Sequence, residues 1–211
     1  PDAGGLAGDS RHFAFKIHDL HEFSDPAYVV RLASEGRLKL LYIHRDIRDV
    51  YLSLKRMQRK SPEQLLAILD NAVQSWKWVE ERLDEPWILV QRYDDLMADM
   101  VTATREIAHH LGVAATTGEI EGVAASCSLS SAEAKTRALK REVAREAIAE
   151  RATTDTRDPT TVYWDMHTLL HHNHISRTKG RSGMWREELT DVEVDAVVDR
   201  YGSVMADLGY A

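Results

Sequence analysis

Several things are scarce in this sequence. Of its 211 residues only Cys127 is a cysteine, so no internal disulfide forms and a disulfide scaffold is excluded. A single thiol fits a reducing compartment, and the expected location is cytoplasmic. No apolar run approaches the roughly 18 residues of a membrane-spanning helix. Net positive charge is missing too: the formal charge is −7, which argues against a generic nucleic-acid binder. The chain opens on Pro1 rather than methionine, and the expectation is that it starts partway through a gene product. What remains is ordinary. Hydrophobic residues make up 44% and charged residues 29%, the balance of a globular chain. The length suffices for one domain with its own core, and a single domain over 1–211 is expected, with the Gly-rich 1–11 as a loop.

Charge is unevenly placed. Between Arg37 and Lys60 stand eight basic residues (Arg37, Lys39, Arg45, Arg48, Lys55, Arg56, Arg59, Lys60) and two acidic ones (Asp46, Asp49), a local charge of +6. The rest of the chain carries −13. Such an island fits a small anion better than a polyanion track. A solvated helix face accounts for the same residues.

Hydrophobic spacing predicts an alternation of strands and helices. His12–His18 alternates like a short strand. A helix is expected over Asp25–Glu35, opened by Ser24-Asp25-Pro26. Leu38–His44 reads as a buried parallel strand, and Asp46–Arg59 as a helix with Val50, Leu54 and Met57 in register. Ser61-Pro62-Glu63 opens the next helix, whose apolar face holds Leu65, Leu69, Val73, Trp76 and Leu83. Trp87–Arg92 is another buried-type strand, and Met100–Leu111 a helix closed by Gly112. Helices are expected again over Ser131–Arg151 and Thr190–Leu208, with loops over 152–162 and 177–189. The pattern predicts an α/β fold: a central parallel sheet flanked by helices in three layers.

The most informative stretch is Tyr42–Arg56. A strand feeding a helix places the helix N-terminus at the carboxyl edge of the sheet, where open α/β folds bind ligands. Backbone N–H groups there favour an anion. Arg45 stands at the turn, placed for a bidentate contact with phosphate. Ser53 follows two helical turns later. An ordinary Arg45–Asp49 salt bridge explains the same spacing.

Arg45-Asp46-x-x-Asp49-x-x-x-Ser53 resembles the 3′-phosphate-binding segment of the sulfotransferase family, which transfers a sulfuryl group from 3′-phosphoadenosine 5′-phosphosulfate (PAPS). Four further segments are similar to family elements, in the family's order. Lys16-Ile17-His18 resembles a Lys-Thr-His element whose histidine is the catalytic base. Tyr93-Asp94-Asp95-Leu96 resembles a Tyr-Glu-Asp-Leu element whose tyrosine contacts the adenine. Cys127-Ser128-Leu129 is similar to a Ser-Phe pair beside the same base. Lys179-Gly180-x-x-Gly183-Met184-Trp185 is similar to the closing Arg-Lys-Gly-x-x-Gly-Asp-Trp element. The resemblance implies a phosphate-loop nucleotide-hydrolase-like fold, with Arg45, Ser53, Lys179 and Gly180 on the 3′-phosphate. It also implies Tyr93 and Ser128 at the adenine, His18 as general base and Lys16 as its electrostatic helper.

The departures are equally specific. The family's Gly/Ser-rich phosphate loop with its lysine is not found, since Gly4-Gly5-x-x-Gly8 has no strand before it and no lysine after it. The expected fold therefore lacks its first strand and phosphate loop. Thr178 holds the closing element's arginine position, and Arg177, one place earlier, is its candidate substitute. Met184 stands where the family has aspartate. Arg186, Thr190, Asp191 and Asp195 form a degenerate version of a dimerisation element, and no dimer is predicted from it.

Residue chemistry fits the resemblance. Sulfuryl transfer, like phosphoryl transfer, asks the protein mainly for positioning and charge stabilisation. The attacking hydroxyl must lose a proton, and histidine is the natural base near neutral pH. Lys16, two residues before His18, faces the same side of a strand and is placed to stabilise developing charge. The basic Lys135, Lys140 and Arg141 are candidates for the cofactor entrance. His167, His171, His172 and His174 invite a metal reading, but no companion ligands appear at metal-site spacing, and no metal is expected. The acceptor would be a small molecule, carbohydrate or lipid bearing a hydroxyl or amine. A noncatalytic nucleotide-binding module is the alternative. A nucleotide or nucleoside kinase, with Asp46 and Asp49 as Mg²⁺ ligands, is a more distant one.

Overall fold

The computed structural model describes residues 14, 25–58, 60–151, 164–165, 170–171 and 180–210. The expected strand His12–His18 and the loop 152–162 lie outside these residues, Ala14 excepted.

The chain begins its described course in α1 (Pro26–Ser34), where Asp25 accepts the N–H groups of Ala27 and Tyr28 and Pro26 fills the first turn. β1 (Leu40–His44) leads into α2 (Ile47–Met57), and α3 (Pro62–Glu80) returns the chain to β2 (Ile88–Arg92). A Ser61–Gln64 capping box fixes the start of α3, satisfying N–H groups that helix geometry leaves unpaired. β1 and β2 pair in parallel with Leu40 opposite Ile88 and His44 opposite Arg92. α4 (Tyr93–Ala98) leaves β2 without a spacer, and α5 (Met100–Leu111) ends at Gly112, whose φ is 71°. Then come α6 (Thr117–Cys127), α7 (Leu129–Arg151), a short antiparallel pair β3 (Trp164–Asp165) and β4 (Leu170–His171), α8 (Trp185–Glu188) and α9 (Asp191–Asp207).

Side-chain alternation along the strands separates two faces. Leu40, Tyr42, Ile88 and Val90 pack on a core formed by α2, α3, α9 and the tail, with Tyr51, Leu65, Leu69, Trp76, Val79, Val197, Tyr201 and Tyr210 buried at its centre. The opposite face meets α5: buried Gln91 donates to the Ala103 carbonyl at 3.1 Å and to Glu106 at 2.9 Å. The α-layers on the two sides make the expected three-layer arrangement. One expectation is corrected. Leu41 and Ile43 remain 37% and 46% exposed, so β1 is half-buried rather than enclosed, although His110 of α5 reaches the Leu40 carbonyl at 3.1 Å. Leu83 is also corrected: α3 ends at Glu80, and Leu83 is an exposed turn residue.

Candidate functional site

The parallel register sets the site. With His44 beside Arg92, the residues that follow each strand, Arg45 and Tyr93, leave the sheet at the same edge. The Arg45 guanidinium lies over the Tyr93 ring, 4.5 Å from its centroid, a cation–π contact. Arg45 Nη2 donates to the carbonyls of Gly180 at 3.1 Å and Arg181 at 3.0 Å. The Tyr93 hydroxyl donates to the same Gly180 carbonyl at 3.0 Å. Gly180 has φ +73°, and a Cβ there would collide with the Tyr93 hydroxyl, so glycine is required on both counts.

The rest of the 180–185 loop is tied to the start of α2. Asp49, whose side chain is fully buried, accepts the Gly183 N–H at 2.7 Å and the Trp185 N–H at 3.1 Å. Asp46 accepts the Trp185 indole N–H at 3.1 Å and a bidentate pair from Arg48 at 2.9 Å each. Arg48 stacks 4.0 Å from the Trp185 ring centroid and donates to the Tyr210 carbonyl at 2.6 Å. On the β2 side, the Ser182 hydroxyl donates to Asp94, which also pairs with Arg92.

Electrostatics follow from these partners. Burial pushes Asp94 upward, but hydrogen bonds from Ser182 and Arg92 outweigh it and hold the carboxyl below its usual range. Burial, reinforced by Arg92, lowers His44 from its ordinary 6.5, while Asp94 and Asp95 oppose the shift. Burial raises the Tyr210 hydroxyl to about 12. Two buried nitrogens, Arg45 Nε and His44 Nδ1, have no hydrogen-bond partner among the described residues.

The +6 island does not survive folding as one patch. Lys55 pairs with Glu193 at 2.6 Å, Arg56 with Glu188, and Arg37 with Glu35 at 3.1 Å. The N-terminus of α2 is not an open anion site either, since Asp46 already accepts the Arg48 N–H at 2.9 Å. Arg45 donates to the Gly180 and Arg181 carbonyls of the loop, with Asp49 3.8 Å away.

A family model described as the sulfotransferase domain matches residues 17–209. The chain belongs to the sulfotransferase domain family. Among solved structures it is similar to mouse sulfotransferase SULT7A1 complexed with PAP, at 19% identity and a TM-score of 0.55. The match covers 85% of this chain and 63% of that one, so this chain spans under two-thirds of the solved sulfotransferase. At that identity the likeness is one of fold, and it agrees with the α/β reading. A search of curated proteins found no match.

Of the sulfotransferase-like positions read from the sequence, Arg45, Tyr93 and Gly180 meet in one cluster. Lys16, His18, Arg177 and Lys179 lie outside the described residues, as do His167, His172 and His174; of His171 only the backbone is described. Ser53 sits within the unbroken α2, and its hydroxyl faces the Met57 sulfur at 3.8 Å. Ser128 lies at the α6–α7 junction, where its hydroxyl accepts the Ser131 N–H at 3.3 Å. Lys135 donates to the Ser126 carbonyl at 2.9 Å, and Arg141 to that of Arg137 at 3.4 Å. The described contacts bring none of these to Arg45. The Trp185 ring lies between the Arg48 and Arg186 guanidinium groups, 4.0 and 4.3 Å from its centroid. Sequence reasoning missed Asp46, Asp49, Asp94 and Tyr210 as holders of this cluster. Asp46 and Asp49 stood in the pattern, and their fixed offsets from Arg45 were the available signal.

Proposed function

We propose that this chain is a sulfotransferase domain that uses PAPS as donor and an acceptor hydroxyl or amine on a small molecule, carbohydrate or lipid. The observation that carries the reading is the convergence of Arg45, Tyr93 and Gly180, from segments up to 135 residues apart, in a chain of this family. The residues present fit the nucleotide. Arg45 keeps a buried Nε without a partner among the described residues, a donor whose burial is costly until an acceptor arrives. Gly180 gives the loop the close backbone approach that phosphate recognition uses.

In this reading Arg45 and Gly180 hold the 3′-phosphate, with Ser53, Lys179 and Arg177 as further contacts. Tyr93 and Ser128 flank the adenine. Because Arg45 covers one face of Tyr93 and Gly180 engages its hydroxyl, a base contact uses the remaining ring surface. His18 takes the acceptor proton, and Lys16 stabilises charge at the transferring group. The donor supplies the activated sulfuryl group. The kinase alternative loses ground, because the oxygens of Asp46 and Asp49 already accept from Arg48, Trp185 and Gly183.

Calorimetry with 3′,5′-adenosine bisphosphate tests the site. Arg45→Ala is expected to lose at least about tenfold in affinity, the scale of a charge-assisted bidentate contact; equal affinities overturn the phosphate assignment. His18→Ala is expected to abolish transfer of radiolabelled sulfate while retaining nucleotide binding, and retained turnover overturns the base assignment. Binding without transfer in the unaltered protein would identify the noncatalytic module instead.

A further inference from the structure

We propose that Asp49 is a positioning residue for the nucleotide: an internal anion that holds the 180–185 loop in its binding shape. This rests on the nucleotide reading of that loop.

The loop is fastened at both ends, by different chemistry. At its start, the carbonyls of Gly180 and Arg181 accept from Arg45, and that of Gly180 also from Tyr93. At its end, the N–H groups of Gly183 and Trp185 converge on the two oxygens of Asp49. Gly183 adopts φ +77°, a conformation open to glycine and poorly to other residues. Converging backbone N–H groups in such a turn form a concavity for an anion. Here the chain itself supplies the anion, from a helix 134 residues earlier. Asp49 is 2% exposed, so water does not compete for it. A loop ordered before the ligand arrives does not charge its ordering entropy to binding.

A cost accompanies this arrangement and makes the proposal testable by sign. Asp49 also stands 3.8 Å from Arg45. A carboxylate beside a phosphate-binding arginine repels the incoming dianion. If Asp49 only balanced the charge of Arg45, then Asp49→Asn would bind 3′,5′-adenosine bisphosphate more tightly. If Asp49 positions the loop, the same change weakens binding. The asparagine keeps one acceptor oxygen but turns an NH₂ toward the second N–H, a donor facing a donor.

The experiment combines calorimetry with residue-resolved amide exchange on the full chain. In the unaltered protein without nucleotide, the Gly183 and Trp185 amides are expected to exchange far more slowly than unstructured peptide. Exchange at the unprotected rate overturns the tether without any variant. In Asp49→Asn those two amides are expected to lose protection while amides of α3 keep theirs, and bisphosphate affinity is expected to fall by about tenfold or more, the scale of a lost preorganisation. Equal or tighter binding by Asp49→Asn overturns the positioning role. If the unaltered protein fails to bind the bisphosphate, the nucleotide reading falls and the proposal with it. That outcome is distinct from binding that is present but insensitive to Asp49.

Discussion

The two ends of α2 use their charged side chains differently. At its start, Asp46 and Asp49 are 7% and 2% exposed, and besides the neighbouring Arg48 and Arg45 they hold a loop more than 130 residues away. At its finish, Lys55 and Arg56 pair with Glu193 and Glu188 at the surface, and Met57 is 59% exposed. A sum over the sequence treats these ends as one positive island. Helical geometry divides them. Four cations of the stretch (Arg37, Arg48, Lys55 and Arg56) are held by carboxylates at hydrogen-bond distance, whereas Arg45 stands 3.8 Å from Asp49 and keeps a buried Nε with no partner among the described residues. Charge marks a binding site only where folding leaves it available.

The sharpest way to break this contrast is to remove a carboxylate from the buried end. Asp46→Ala takes the carboxylate from the Arg48 guanidinium, which keeps only the Tyr210 carbonyl among the described residues, and leaves the Trp185 indole N–H without its acceptor. Loss of one member of a buried pair costs about 3–5 kcal/mol, and urea unfolding is expected to show a loss of that order. A smaller effect tests the burial beside it. His44 lies between the Trp76 and Tyr210 rings, and its proton affinity is lowered from 6.5 mainly by burial. Below that pH the unfolded chain takes up a proton that the folded chain resists, so stability falls as pH drops from about 6.5. His110 is shifted in the same direction by burial and Lys39, so the loss is shared. His44→Leu is expected to flatten part of it in chemical denaturation between pH 7 and about 5; an unchanged slope contradicts the burial account. The smallest effect belongs to the exposed end. Lys55→Ala is expected to cost at most about 1 kcal/mol in the same unfolding measurement, and a larger loss would dissolve the contrast.

Much of this was legible in advance, for identifiable reasons. β1, α2, α3, β2, α5 and α9 announce themselves by apolar spacing and by caps such as Ser61-Pro62 and Gly112. α4 was hidden because it starts directly at the strand end, with Arg92 as an N-cap whose side chain makes no capping hydrogen bond. α6 was hidden by Gly118 and Gly122, although its Thr116–Glu119 capping box was in plain view. Arg45, Tyr93 and Gly180 were legible as pieces of a pattern. Asp49's role was not, because its partners are backbone N–H groups, which no side-chain pattern displays. The enclosure predicted for β1 failed for a related reason: an apolar run states what a strand tolerates, not which helix lies over it.

The central claim is that Arg45 alone of the cations on either side of α2 serves a nucleotide. Parallel calorimetry of Arg45→Ala and Lys55→Ala with 3′,5′-adenosine bisphosphate tests it most directly. The account predicts a loss of about tenfold or more for Arg45→Ala and an unchanged affinity for Lys55→Ala. Equal losses in the two variants would contradict it, returning the island to a diffuse field with no site of its own.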